Sequence, residues 1–332
     1  MMPSASASAL HHHRRMMRAA WQGMRPAPRV ATSSFHTSRP AAAMYPSFEG
    51  ANSSSSSSSD SNSKSGFDAL FRYSDQHSTP LPEKFATLHA SSVEHYPGTA
   101  DKTISAMQGH LLKLLMRMTR PKVVLELGCF MGYSAMAMAD GMPDGSVLYT
   151  CELDSRAAQL ARDLFEREGY TDQGVSENRQ VAKIELLEGD GLASLKTLAK
   201  SKLKFDAVFI DADKGNYINY YNFIMDNDLL SDHGYILSDN TLFKGMVLQS
   251  PSQEDQAKNQ ASLPSPPSSP PLSPRSDASP RDAKKQKAAA MFQKTANHVD
   301  AFNRHVANDP RVDVVLLPVF DGLSVIMKKS NK

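Results

Sequence analysis

Ala207-Val208-Phe209-Ile210-Asp211-Ala212-Asp213-Lys214 is an apolar run that breaks off into acids and a lysine. A short apolar run with so sharp an end has the pattern of a buried strand. Tyr235-Ile236-Leu237-Ser238-Asp239-Asn240 repeats the pattern. If the two strands are parallel neighbours, their carboxyl ends place Asp211, Asp239 and Asn240 on one edge of a sheet. That is an all-oxygen set of the kind hard divalent cations prefer, at the edge where open α/β sheets bind their ligands.

Working upstream, Val123-Val124-Leu125-Glu126-Leu127 reads as a first strand. It runs into a glycine turn, Gly128-Cys129-Phe130-Met131-Gly132, ahead of a helix at Ser134 to Asp140. Gly128 and Gly132 let backbone approach a ligand closely, and the helix start offers amide donors. The turn does not fill the G-x-G-x-x-G pattern, which disfavours a dinucleotide pyrophosphate. Glu152 ends the next strand, Ser146 to Cys151, where a carboxylate can accept both hydroxyls of a ribose. Helices at Ile104 to Met118, Ser155 to Glu168, Leu192 to Leu198 and Tyr217 to Leu229, with a strand at Ile184 to Leu187, complete an alternation that means βαβ units and a parallel sheet. After a helix at Ala288 to Val306 come two apolar strands, Val312 to Leu317 and Leu323 to Met327, joined by a link too short for a parallel crossover. They must form an antiparallel hairpin, making seven strands in all.

The ends and interruptions have a different composition. Residues 1–48 carry Arg14, Arg15, Arg18, Arg25, Arg29 and Arg39 with no Lys, Asp or Glu. Those six arginines outweigh the formal charge of +2, so the remainder is mildly acidic and offers no basic surface for nucleic acid. The Arg-rich, acid-free start fits a mitochondrial presequence over residues 1–44, and Phe35-His36-Thr37-Ser38-Arg39 looks like its fungal tail. A disordered Ser-rich linker is expected over 45–66, then one domain over 67–332 with a disordered Ser/Pro-rich insertion at about 249–287. No apolar run reaches the roughly 20 residues of a membrane span. Cys129 and Cys151 read as buried small hydrophobes.

These motifs together resemble the cation-dependent class I O-methyltransferases, the family of caffeoyl-CoA and catechol O-methyltransferases. The carriers are Leu125-Glu126-Leu127-Gly128 with Gly132-Tyr133-Ser134, Cys151-Glu152, Phe209 to Lys214 with Asn216-Tyr217, Asp239-Asn240-Thr241-Leu242, and Ser105-Ala106 with Gln108-Gly109. Separate caps and turns could explain each one, but not all of them in this order. The resemblance implies a Rossmann-like α/β fold with a seven-stranded sheet in the order 3-2-1-4-5-7-6, strand 7 antiparallel and helices on both faces. It implies S-adenosylmethionine (SAM) bound by Glu126, Gly128, Ser134, Glu152 and Asp213. A divalent cation, Mg²⁺ before others, would sit on Asp211, Asp239 and Asn240, with Lys214 as general base. The acceptor would be a small vicinal-dihydroxy aromatic, of catechol or hydroxycinnamoyl-CoA type, and a homodimer follows only by analogy.

Met131 departs from the family's usual small hydroxyl residue and could alter the fit of the cofactor's methionine part. The insertion replaces a region that contacts CoA in one branch of the family; Lys284, Lys285 and Lys287 are the candidates to substitute for it. The residues alone do not separate the role of Asp211 from that of Asp213. Two other readings stay open: a non-catalytic SAM- or nucleoside-binding module, which could dispense with Lys214 and Asp239, and a nicotinamide-dependent oxidoreductase, which lacks its glycine pattern.

Overall fold

A computed structural model describes residues 69–98, 102–172, 182–250 and 280–329. The expected presequence and linker, and residues 251–279 of the expected insertion, lie outside the described residues.

The sheet has seven strands: β1 Val123–Leu127, β2 Val147–Glu152, β3 Lys183–Glu188, β4 Phe205–Ile210, β5 Leu230–Asp239, β6 Val312–Leu317 and β7 Leu323–Lys328. Their order is β3-β2-β1-β4-β5-β7-β6, as the resemblance implied. β1 to β5 pair in parallel, and β7 runs antiparallel to both β5 and β6. The helices are α1 Glu83–His95, α2 Ala106–Thr119, α3 Tyr133–Ala139, α4 Ser155–Arg167, α5 Gly191–Lys200, α6 Tyr217–Asp226 and α7 Pro280–Ala307.

Side chains alternate across each strand, so one residue in two faces each layer of helices. Val124, Ala207, Phe209 and Leu237 meet α1 to α4 through Phe85, Leu112, Met116 and Phe165. Leu125, Leu127, Val208, Ile210 and Ile236 meet α5, α6 and α7 through Leu195, Tyr217, Tyr221, Ile224 and Phe302. Glu126 breaks this apolar pattern. It is fully buried in the middle of the sheet, on the face of Val124. A carboxyl so placed is costly unless it serves a purpose.

The helix expected from Ala288 begins instead at Pro280, so Lys284, Lys285 and Lys287 stand exposed on a helix rather than in an insertion coil. The alanines and lysines there are strong helix formers, and they extend a helix already anchored by Ala296, Val299 and Phe302. The sequence reading also missed α1. Its hydrophobic face is short, with Phe85 and Leu88 as its buried apolar side chains. Lys84 ties it down, bonding Asp140 at 2.9 Å and the Tyr170 hydroxyl at 2.5 Å. Cys129 and Cys151 are both buried and unpaired by disulfide, as expected. No helix among the described residues is long and apolar enough to cross a membrane.

Candidate active site

β1 lies between β2 and β4, and this is where the sheet's direction of winding reverses. The register sets Leu127 beside Cys151 and Ile210, and Ile210 beside Ser238. Glu152, Gly128, Asp211 and Asp239 therefore end four adjacent strands. Gly128 makes the close approach possible. Its φ is +99°, and a Cβ there would fall 2.3 Å from the carbonyl oxygen of Asp211. Only glycine lets the β1 turn pass so near the end of β4.

On the glycine-turn side, Glu152 accepts the N–H of Phe130 at 2.6 Å and of Asp154 at 2.8 Å, one on each oxygen. This fixes the carboxylate while leaving further lone pairs for a diol. Phe130 holds a left-handed φ of 47°, and its ring packs on Tyr96 just past α1. The sequence named Phe130 only as a member of the glycine turn and did not single out Tyr96, because their meeting spans two elements. Beneath the turn, Thr150 donates its hydroxyl to Glu126, and the Ser134 hydroxyl lies close by, but Glu126 Oε1 has no hydrogen-bond partner. Met131 turns away into the core at 3% exposure.

Burial, against which the two hydroxyls act, pushes the Glu126 carboxyl up to about 8; the charges of Asp211 and Glu152 add to the rise. A folded-state pKa above the unfolded one means that the neutral form is favoured on folding. Its contribution to stability is complete below the unfolded value of 4.5 and is lost as pH rises toward about 8. Glu126→Gln in the ligand-free protein is therefore expected to melt higher than wild type by about 5 °C or more at pH 8.5. At pH 4.5 it should show no gain. Melting curves offset equally at both pH values would reject a carboxyl burdened by its charge.

The acidic end is built differently. Asp211 Oδ1 accepts the Lys214 ammonium at 2.9 Å, and that ammonium also donates to the Tyr217 hydroxyl at 2.6 Å. The Tyr217 hydroxyl in turn reaches the carbonyls of Ile210 at 3.1 Å and Asp239 at 3.2 Å, bridging the ends of β4 and β5. Its ring is fully buried against Phe302 of α7. Asp239 is 2% exposed, and its Oδ1 has no hydrogen-bond partner. Gln108 of α2 lies against it, with its own Nε2 unpartnered. Burial, then the charge of Asp211, raise the Asp239 pKa. Burial opposes the charge on Lys214, but Asp211, Tyr217 and Asp239 together outweigh it and hold its pKa above the usual lysine value.

The structure separates the two acids that the sequence left ambiguous. Asp213 turns away from Lys214 and accepts Tyr220 Oη and Asn216 Nδ2, each at 2.7 Å. Asp211 faces Asp239 and the lysine. Asn240 follows Asp239 with a left-handed φ of 54°. Among the described residues no three His, Cys, Asp or Glu side chains gather as a metal-binding group; the pair of carboxylates with an amide is the candidate set. Its chemistry fits a hard cation. Asp211 and Asp239 act on one another, one Asp239 oxygen is buried and unpaired, and the single Lys214 ammonium faces both carboxylates.

This row of acids beside a glycine turn and a lysine belongs with one comparison. A family model described as O-methyltransferase matches residues 75–265. The chain belongs to the O-methyltransferase family. The methyltransferase is 30% identical to the O-methyltransferase ankF of Aspergillus thermomutatus, over 78% of this chain and 92% of that one. It is 28% identical to caffeoyl-CoA O-methyltransferase 5 of Nicotiana tabacum, over 78% and 90% of the two chains. Among solved structures, the SAH-bound methyltransferase PaMTH1 of Podospora anserina superposes on it with a TM-score of 0.61. The identity is 26%, covering 83% of this methyltransferase and 99% of PaMTH1.

Proposed function

We propose that the protein transfers a methyl group from SAM to one oxygen of a vicinal-dihydroxy aromatic, with a divalent cation held by Asp211, Asp239 and Asn240. The observation that carries this reading is the buried, unpartnered Oδ1 of Asp239 beside the Asp211–Lys214 pair. The SAH bound by PaMTH1 supports the donor, since SAH is what SAM becomes once its methyl is gone. The names of the tobacco and fungal relatives support an oxygen acceptor.

In this reading Glu152 receives the ribose hydroxyls of SAM, and Glu126, Gly128 and Ser134 line the space for its methionine part. Asp213, held by Tyr220 and Asn216, would be a further contact for the cofactor. A divalent cation bound at the strand ends would supply Lewis acidity to two adjacent phenol oxygens, whose ordinary pKa is about 10. Two influences oppose one another on Lys214: burial drives the proton off and Asp211 keeps it on. With the Asp211 charge offset by a bound cation, Lys214 would lose its proton to solvent, and the neutral amine would then accept the acceptor's proton. The freed oxygen then attacks the methyl carbon in line and displaces the sulfur. Positioning and charge supply the rate, with no covalent enzyme intermediate.

The test is a methyl-transfer screen with labelled SAM against catechols and hydroxycinnamoyl-CoA thioesters, beside monophenols as controls. Transfer to vicinal diols, at least roughly a hundredfold above monophenols, is the expected result. Equal transfer to monophenols would remove the chelating acceptor from the reading.

A further inference from the structure

Two backbone donors fix the Glu152 carboxylate, the N–H of Phe130 on Oε2 and the N–H of Asp154 on Oε1. The first belongs to the glycine turn after β1, the second to the residue that caps α4. Phe130 is an L-residue at a φ of 47°, backbone that persists only where its surroundings enforce it. Asp154 has its own task. Its Oδ1 accepts the N–H groups of Arg156 at 2.9 Å and Ala157 at 3.0 Å, satisfying the first turn of α4.

Tyr96 touches both donors. Its ring meets the Phe130 ring edge to face, with centroids 5.0 Å apart. Its hydroxyl donates to Asp154 Oδ1 at 3.1 Å. The Arg156 guanidinium lies over the same ring, 5.1 Å from its centroid. Tyr96 is itself well placed to brace them. It is the C-cap of α1, with its N–H on the Ser92 carbonyl at 3.0 Å, and the Lys84–Asp140 contact ties that helix to the end of α3.

We propose that Tyr96 is a positioning residue for the cofactor, bracing the Phe130 and Asp154 N–H groups and through them the Glu152 carboxylate. This rests on the reading above in which Glu152 receives the ribose hydroxyls, and adds to it a residue that acts through others. A glutamate side chain rotates freely unless it is held, and ordering it at the moment of binding costs affinity. Without the Tyr96 ring, Phe130 is free to leave the left-handed region and carry its N–H away from Oε2. Without the hydroxyl, Asp154 loses its tie to α1. Phenylalanine at 96 would keep the ring contact and lose only that tie.

The experiment is isothermal calorimetry of SAM on the full chain, with melting curves for each form. The forms are wild type, Tyr96→Ala, Tyr96→Phe, Glu152→Ala and the double variant Tyr96→Ala/Glu152→Ala. Tyr96→Ala is expected to bind SAM about 10-fold more weakly than wild type, and Tyr96→Phe about threefold. The double variant should bind within about twofold of Glu152→Ala alone, since Tyr96 then has no carboxylate left to hold. Wild-type affinity in Tyr96→Ala would overturn the proposal and leave the ribose reading standing. Losses that add in full in the double variant would also overturn it, by making Tyr96 a general support. Should Tyr96→Ala fail to fold, Tyr96→Phe decides, and wild-type affinity there would overturn the proposal. Glu152→Ala that binds SAM as well as wild type would overturn the ribose reading and this proposal with it.

Discussion

EDTA is expected to lower methyl transfer at neutral pH by about a thousandfold or more, and excess Mg²⁺ to restore it. The physical basis is the charge balance at the ends of β4 and β5. Asp239 is buried with an oxygen unpaired, and Asp211 raises its pKa. Lys214 supplies one positive charge to this pair. A phenol near ~10 releases its proton at neutral pH only with electrostatic help, and each tenfold in rate corresponds to about 1.4 kcal/mol of barrier. Asp239→Ala should reproduce the loss without chelator and should not respond to added Mg²⁺. SAM binding, measured by calorimetry, should survive both treatments, because Glu126, Glu152 and Asp213 lie outside the candidate set. Turnover that is indifferent to EDTA would dismiss the cation and leave Lys214 alone to activate the acceptor.

Lys214→Ala is expected to cut turnover by roughly 10²- to 10⁴-fold, the range of a positioned proton acceptor. Lys214 has two contacts, with Asp211 at 2.9 Å and Tyr217 at 2.6 Å, and each holds it over the strand ends. Removing it also leaves Asp211 with no cationic partner inside the site, so Mn²⁺ affinity should rise or stay level while turnover collapses. That divergence separates a proton-handling role from a structural one. If turnover and Mn²⁺ affinity fell together, Lys214 would be a brace for the site and not its base. Lys214→Arg should fail to rescue turnover, since a guanidinium does not release its proton in this pH range.

Much of this site was legible before any coordinates. Strands β4 and β5 hold apolar runs with sharp acidic ends, so Asp211 and Asp239 could be placed at one sheet edge provided that the two strands were parallel neighbours, as they are. The antiparallel hairpin followed from the brevity of the link before Leu323. The reading faltered where local signals are weak. α1 buries few apolar residues and owes its place to the Lys84–Asp140 contact, a pairing 56 positions apart that no periodicity reveals. The extension of α7 to Pro280 was hidden because its charged residues adjoin the Ser/Pro-rich run and read as its continuation. Tyr217 was visible as part of a motif, yet its task as the bridge between Ile210, Asp239 and Lys214 was not.

Order of elements, identity of the acids and the chemistry they can perform were written in the chain, because strand periodicity, glycine turns and carboxylates act over a few neighbouring residues. Which acid faces the lysine and why Glu126 carries a burdened proton were decided by packing. Asp211 and Asp213 are two residues apart and chemically identical. They differ because Tyr220 claims one while Asp239, brought alongside by the β4–β5 register, faces the other. Such distinctions depend on distances of a few ångströms between segments remote in sequence, and only the closed fold sets those distances.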